Sequence, residues 1–295
     1  MSAEPSIRFK KRILVYLPTY NCAGKIVSVL KEIPSAYWNE IDVVVVDNCS
    51  RDGTADVVVR AIARGEVPNT VQVVQPTENL GYAGSQKLAY KLALQSPSVE
   101  WVIMLHGDGQ YPPALLKEIW PHIGGKHGVV QGMRSKRAFP DLEETPWPTY
   151  TIIKFLDAIE SGVLGFPRYE WHSGFVMYST AFLRQVALDR LTTTRHIDGH
   201  LLFAAEAFGV GVLPVPIWKR YRAYPGFVGL ERTEYVTHVL KLMVRFVALK
   251  WGGRARSSIA IGPEGLLPPT FNVLSPTTDA TSHRRDDKVA SIGRR

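Results

Sequence analysis

Cysteine is nearly absent from this 295-residue chain, which holds only Cys22 and Cys49. With no CxxC pair and no Cys/His cluster at zinc spacing, neither a disulfide scaffold nor a structural zinc site is indicated, and a reducing cytoplasm fits. Long hydrophobic runs are missing too. The opening MSAEPSIRFKKR leads into only six apolar-leaning residues, 13–18, far short of a secretory signal, so nothing here directs export. No internal repeat is visible. No RNA- or DNA-binding module is visible either, and the basic residues are dispersed, which argues against a nucleic-acid partner.

What remains is the composition of an ordinary globular protein with a real core, 45% hydrophobic and 21% charged. A formal net charge of +8 favours phosphate-rich partners without choosing among nucleotide diphosphates, anionic lipid head groups and nucleic acid.

Short β-branched runs at 13–17, 41–46, 71–74, 101–105 and 128–131 alternate with amphipathic stretches at 24–32, 54–63, 85–94 and 113–122. That is the pattern of an α/β protein with a mainly parallel sheet flanked by helices, its strands buried on both faces. The alternation then fails. A segment rich in Pro, Trp and charge, 134–148, reads as a long functional loop. A helix at 149–164, a strand at 173–178, helices at 180–188 and 200–208 and a strand at 210–217 are expected after it. From 252 onward periodicity is lost, and 253–295 is expected to be a disordered tail.

In an open parallel sheet, ligands bind beyond the carboxyl ends of the strands. There the chain is polar: Pro18-Thr19-Tyr20-Asn21 after the first strand, Asp47-Asn48-Cys49-Ser50-Arg51-Asp52-Gly53-Thr54 after the second, His106-Gly107-Asp108-Gly109-Gln110 after the fourth. Ser50, Asp52 and Thr54 read as a turn and a helix cap. Asp47, ending an apolar strand, needs hydrogen-bond donors, which a nucleobase or ribose would supply. Asp108 sits between glycines where Mg²⁺ or Mn²⁺ could neutralise a pyrophosphate leaving group, with His106 as a second, weaker ligand or a neighbour of the site.

In order and spacing these segments resemble the inverting glycosyltransferases of family 2, with the GT-A fold, closest to the dolichol-phosphate mannosyltransferase-like branch. The motifs are ILVYLPTYN, VVVVDNCSRDGT, ENLGYAGSQKLAYKLAL, VIMLHGDGQYPP, VVQGMR, YEWHSGFVMYS and HIDGHLLFAAEAFGVGVLPVPIWKRY, spread over about 12–250. The resemblance implies a nucleotide-sugar-binding half at 12–131 and an acceptor half at 132–234. It implies that Pro18, Thr19, Tyr20, Asn21, Asp47 and Asn48 contact the nucleoside and that Gly81, Gly84, Gln86 and Lys87 face base or phosphates. Asp108, with Gly107 and Gln110 beside it, would hold the metal, and Gly132 and Arg134 would border the donor sugar. His172, Ser173, Gly174 and Asp198 would line the acceptor side, and Arg220 and Tyr221 would lie near the phosphates. Two departures stand out: the usual Asp-x-Asp is His106-Gly107-Asp108, and the usual acidic pair after strand two is Asp47-Asn48. For Lys87 a solvated helix face and for His172 a structural histidine are the competing readings.

The implied activity is transfer of a sugar from a UDP-, GDP- or dTDP-sugar to a polyprenyl phosphate, whose anionic oxygen needs no base, or to a glycan or glycolipid hydroxyl, for which Asp198 is the candidate base. Two alternatives stay open: a catalytically silent sugar-nucleotide-binding or membrane-scaffold protein, and a sugar nucleotidyltransferase. The latter would need a Gly-rich, Arg-containing loop after strand one, where the chain has Pro18-Thr19-Tyr20-Asn21-Cys22. Helix 235–251 is too short and too charged to span a bilayer. It either packs into the core with a basic edge or lies on the inner face of the membrane with His238, Lys241 and Arg245 toward anionic lipid. Oligomeric state is not legible.

Overall fold

The computed structural model describes residues 7–165, 170–221, 230–259 and 269–275. The β-branched runs become β1 (Ile13–Thr19), β2 (Ile41–Asp47), β3 (Val71–Pro76), β4 (Trp101–Met104) and β5 (Val129–Arg134), joined by β6 (Val176–Ser179), β7 (Val212–Ile217) and β8 (Phe271–Leu274). One eight-stranded sheet results, in the order β7-β5-β6-β4-β1-β2-β3-β8. Pairings β1–β2, β1–β4, β2–β3 and β5–β7 are parallel, whereas β6 runs antiparallel between β4 and β5, and β8 antiparallel to β3. The sheet is thus mixed and mostly parallel.

Alternation along the strands feeds two cores. Leu14, Tyr16, Val44, Val46, Val102 and Met104 face α3 (Gly81–Leu94) and α7 (Ile197–Phe208), while Val15, Leu17, Val43, Val45 and Ile103 face the layer of α1 (Ile26–Lys31) and α2 (Thr54–Ala63). The expected helix at 113–122 is broken into 3₁₀ turns around a four-residue α4 (Leu116–Ile119), with Pro121 interrupting the hydrogen-bond ladder. The expected loop 134–148 does lead into a long helix, α5 (Trp147–Leu164). A short α6 (Thr180–Leu183) follows β6, its cap being the Ser179 hydroxyl, which accepts from the Phe182 amide.

The expectation of a disordered tail from 253 is corrected over part of its length. Beyond α8 (Leu230–Trp251) the chain forms a short helix, α9 (Ala255–Ile259), whose Ala255 and Ile259 are buried, and then β8, which covers the open edge of β3. A sheet edge with unpaired backbone is an external demand that composition does not reveal. The rest of the expected tail, 260–268 and 276–295, lies outside the described residues. In α8, Val239, Met243 and Phe246 pack into the core, Phe246 stacking 4.8 Å from Phe203, while Leu240 and Val244 face outward. The apolar side chains of this helix therefore divide between two faces.

Candidate active site

In-register pairing brings the ends of β1, β2 and β4 to one edge of the sheet, with Thr19 opposite Asp47 and Tyr16 opposite Met104. Pairing continues past the strands: the Asn48 amide donates to the Thr19 carbonyl at 2.9 Å and the Gly107 amide to Pro18 at 3.3 Å. Side chains of the second loop then stitch it to the first. Ser50 Oγ accepts from the Asn21 amide at 2.9 Å, Thr54 Oγ1 from Cys22 at 2.8 Å, and Asp52 Oδ2 from Ala23 at 2.9 Å. Asn21 and Cys49 adopt left-handed backbone at φ 53 and 59°, a conformation uncommon for residues other than glycine, as these loops close around the edge.

Above this edge opens a cavity of about 740 Å³. Its donor-side wall carries Pro18, Thr19, Tyr20, Asn21 and Asn48, and its floor His106, Asp108 and Gln110. Across it stand His172, Ser173, Gly174 and Asp198, with Tyr221 at the rim. These, with Gly81, are the expected residues that the fold brings together.

Asp108 Oδ1 accepts the Gln110 amide at 2.9 Å, fixing a half-buried carboxylate at the cavity floor. A β-carbon on Gly107 would meet Thr19 Cγ2 at 2.2 Å, so only glycine lets this turn approach β1. Hard oxygen donors in an open site suit Mg²⁺ or Mn²⁺, and Asp108 with the neighbouring Gln110 fits such an ion. His106 is a different matter. Its Nε2 donates to the Gly174 carbonyl at 3.2 Å, its ring packs 5.0 Å from Tyr111, and burial lowers its pKa. A β-carbon on Gly174 would lie 2.6 Å from that nitrogen. Of its two expected roles, the geometry gives His106 that of a neutral prop joining the two sides of the cavity.

Several expectations are corrected by where the side chains go. Asp47 is buried and finds its donors inside the protein, the Ser50 hydroxyl and Gln75 Nε2 at 2.8 Å, so no nucleoside is needed to satisfy it. Asn48 takes the cavity position instead, its Oδ1 accepting the Leu80 amide. Lys87 turns away and donates to the Leu191 carbonyl at 2.8 Å. Gln86 lies behind the wall, its Nε2 3.3 Å from Asp198. Gly84 and Gly132 serve packing, against Leu80 and against Ile217 and Phe175. Arg134 is buried in an ion pair with Glu170. Arg220 is exposed and pairs with Glu32 at 2.9 Å, while its neighbour Lys219 turns inward. The phase of extended backbone after β7, not its composition, decides which of the two cations faces the cavity.

Lys219 is the main residue sequence reasoning missed. Burial, with Arg134 nearby, lowers its pKa to about 8, and its ammonium lies 5.3 Å over the Tyr111 ring. Tyr82 and Ser85 were legible in principle, since they share a face of α3 with Gly81; Trp171 and Arg195 carry no local signal.

Asp198 is almost wholly buried, reaching the cavity only at its edge. Tyr82, Gln86 and Tyr178 each donate to it at 3.3 Å, yet burial outweighs them and raises its pKa to about 7. Beneath His172 lies a second ionic cluster. Glu170 takes Arg134 and Lys154 (3.0 Å), Asp157 accepts the Trp171 amide at 3.1 Å, and Glu160 lies 3.1 Å from His172 Nε2 and 3.7 Å from His196 Nε2. Burial, then Glu170, raises Asp157 to about 7. Asp157, Glu160 and His172 could together offer ligand atoms to a metal. Asp157, with Lys154 3.7 Å away, and Glu160 are nonetheless buried and do not line the cavity, whereas Asp108 is the carboxylate set at its floor.

The chain matches the model of glycosyl transferase family 2 over residues 14–192, more than half of its length. It belongs to that family. Among curated proteins it is 24% identical over 209 residues to the undecaprenyl-phosphate mannosyltransferase of Micrococcus luteus, covering 70% of this chain and 82% of the relative. Among solved structures, glucosyl-3-phosphoglycerate synthase from Mycobacterium tuberculosis with Mn²⁺, UDP-glucose and phosphoglyceric acid superposes with TM-score 0.54 at 19% identity, over 83% of this chain and 80% of that one. The same synthase with Mg²⁺ and UDP gives 0.52 at 20%, over 83% and 79%. The family 2 glycosyltransferase described here thus has the GT-A fold. Among its described residues no helix is long and apolar enough to cross a membrane.

Proposed function

We propose that this glycosyltransferase holds a nucleotide-sugar donor in the strand-edge cavity and passes the sugar, with inversion, to a polyprenyl-phosphate acceptor. The observation that carries the reading is Asp108, fixed by the Gln110 amide at the floor of the cavity, with the Lys219 cation lining the same cavity near enough to feel its charge. The nucleoside, of the UDP, GDP or dTDP class, lies between Thr19, Tyr20 and Asn48. Asp108 and Gln110 would hold Mg²⁺ or Mn²⁺, which neutralises charge developing on a pyrophosphate leaving group. Lys219, with a pKa of about 8, is mostly protonated at neutral pH and adds a second positive charge there.

The acceptor approaches past Ser173 and Gly174, the latter's carbonyl and amide being held by His106 and Tyr111. Its oxygen forms a bond to the anomeric carbon as the bond from that carbon to the phosphate oxygen breaks on the opposite face. A phosphate oxygen is already anionic and needs no base. The Micrococcus luteus relative, an undecaprenyl-phosphate mannosyltransferase, supports such an acceptor. A saccharide hydroxyl is the second reading, favoured by one observation: Asp198, at a pKa of about 7, lines the cavity and could take the proton. A cytoplasmic enzyme, peripheral on the inner face of the membrane, suits either acceptor.

Release of nucleoside diphosphate from UDP-, GDP- and dTDP-sugars with Mn²⁺ tests the reading and separates an enzyme from a silent binding protein. Asp108→Asn should lower turnover at least ~100-fold, about 2.7 kcal/mol of transition-state stabilisation, with the ligand-free Tm unchanged. Near-normal Mn²⁺-dependent turnover in a folded Asp108→Asn protein would overturn it.

A further inference from the structure

Helix α5 is built inside out. Its charged residues, Lys154, Asp157 and Glu160, turn toward the ionic cluster under the cavity, Asp157 and Glu160 being buried. Its outer face carries Thr151, Ile152, Phe155, Ala158, Ile159, Gly162 and Val163, with no charge among them. At 3.6 residues per turn, Ile152, Phe155, Ile159 and Val163 fall within an arc of roughly 80°. Phe155 is 65% exposed and Val163 54%, and Trp147, at the start of the helix, is 66% exposed. A water-facing helix normally shows the opposite polarity, so this stripe marks a contact surface.

Helix α8 packs beside α5 and repeats the feature. Leu240, Val244 and Trp251 project outward within an arc of roughly 40°. Val244 is 66% exposed and Trp251 86%. Cations border this stripe, with exposed Lys241 and Arg245 on one side and Lys250 on the other; Arg254 is exposed just beyond. Apolar stripes ending in tryptophan and flanked by lysine and arginine complement an interface of acyl chains under anionic head groups.

We infer that α5 and α8 together form a docking surface for an anionic phospholipid membrane, on which the enzyme lies without crossing it. Helix α5 supplies the apolar contact, and the cations of α8 select the negative surface. The use of such a surface deepens the lipid-acceptor reading and rests on it: the outer face of α5 would meet lipid while its inner face holds, through Glu160 and His172, one wall of the cavity. The surface itself is tested apart from the chemistry.

The test is co-sedimentation of the full chain with vesicles of phosphatidylglycerol and phosphatidylcholine in equal parts, and with phosphatidylcholine alone. Wild type should bind the mixed vesicles. Binding should fall at least ~10-fold on neutral vesicles, in Phe155→Ser/Ile159→Ser, and in Lys241→Glu/Arg245→Glu. Both variants change exposed side chains, and thermal melts close to wild type confirm folding. Donor hydrolysis without vesicles should be unchanged in Phe155→Ser/Ile159→Ser, so loss of lipid binding alone leaves the proposed chemistry standing. The inference is overturned if wild type does not bind, if the folded variants bind as wild type does, or if light scattering shows that the α5 stripe instead joins two copies of this chain.

Discussion

The two walls of the cavity are built by different means. On the donor side, the loops after β1, β2 and β4 are short and hold their shape by backbone pairing and by side-chain bonds from one loop to the backbone of the next, such as Ser50 to Asn21 and Asp52 to Ala23. Asp108 is positioned by an amide two residues away. On the acceptor side, Glu170 to Gly174 and Asp198 are held by largely buried ionic and polar side chains: Glu170 by Arg134, His172 by Glu160, Asp198 by Tyr82, Gln86 and Tyr178. The donor wall therefore presents charge to the cavity at little cost to folding. The acceptor wall buries charge and depends on every partner being in place.

That contrast predicts opposite consequences of mutation. Removing one partner of the buried pair on the acceptor side should be the most damaging to the fold. Glu170→Ala strands Arg134 at 5% exposure, and roughly 3–5 kcal/mol of stability should be lost in chemical denaturation. A loss under ~1 kcal/mol would mean the acceptor wall does not depend on the pair. Across the cavity, Lys219→Ala should leave the fold intact and weaken nucleoside-diphosphate binding by about 10- to 100-fold in calorimetry, the worth of roughly 1.5–3 kcal/mol for a hydrogen bond to a charged group. Arg220→Ala should change affinity by less than about threefold, because that side chain points to Glu32. Equal effects of the two would reverse the assignment of which cation serves the cavity.

The subtlest effect is on pH. The Asp198 carboxyl binds its proton more tightly in the fold, at about 7, than at the ordinary 3.8 of an unfolded chain. The protonated form therefore contributes stability that is whole below pH ~4 and is lost as pH rises to about 7, at most about 4 kcal/mol over some three pH units. Asp198→Asn, neutral throughout, should melt closer to wild type at pH 5 and higher than wild type at pH 8. A gap that does not change with pH would remove the buried-charge account of this residue. The same variant divides the acceptors: a hydroxyl acceptor should show a rate limb near pH 7 that the substitution abolishes, and a phosphate acceptor should not.

The donor wall was legible because its signals are local. A β-branched run followed by Pro18-Thr19-Tyr20-Asn21, or by His106-Gly107-Asp108-Gly109-Gln110, states both the strand and the loop beyond it, and α2 appears at its expected bounds, Thr54–Ala63. Reading went astray where one residue of phase or one distant partner decides the outcome. Asp47 looked short of donors because Gln75, on the neighbouring strand, is invisible from its own segment. Lys219 and Arg220 are equivalent in composition and differ only in the side they face. Helix 235–251 was open between core and membrane surface, and only the fold shows which side chains are taken up by the core, Val239, Met243 and Phe246, and which are left outward, Leu240 and Val244.

By itself the sequence determined the strand periodicity, the polar loops at the carboxyl edge and the carboxylate set between two glycines, because each is a matter of neighbours within a few residues. The tertiary structure decided the antiparallel entry of β6, the pairing of β8 with the open edge of β3, the inward turn of Lys219 and the inverted polarity of α5. Each of these depends on what stands across the fold, since a charge is buried only where a distant partner meets it and an apolar face is left outward only when the inner face is already engaged.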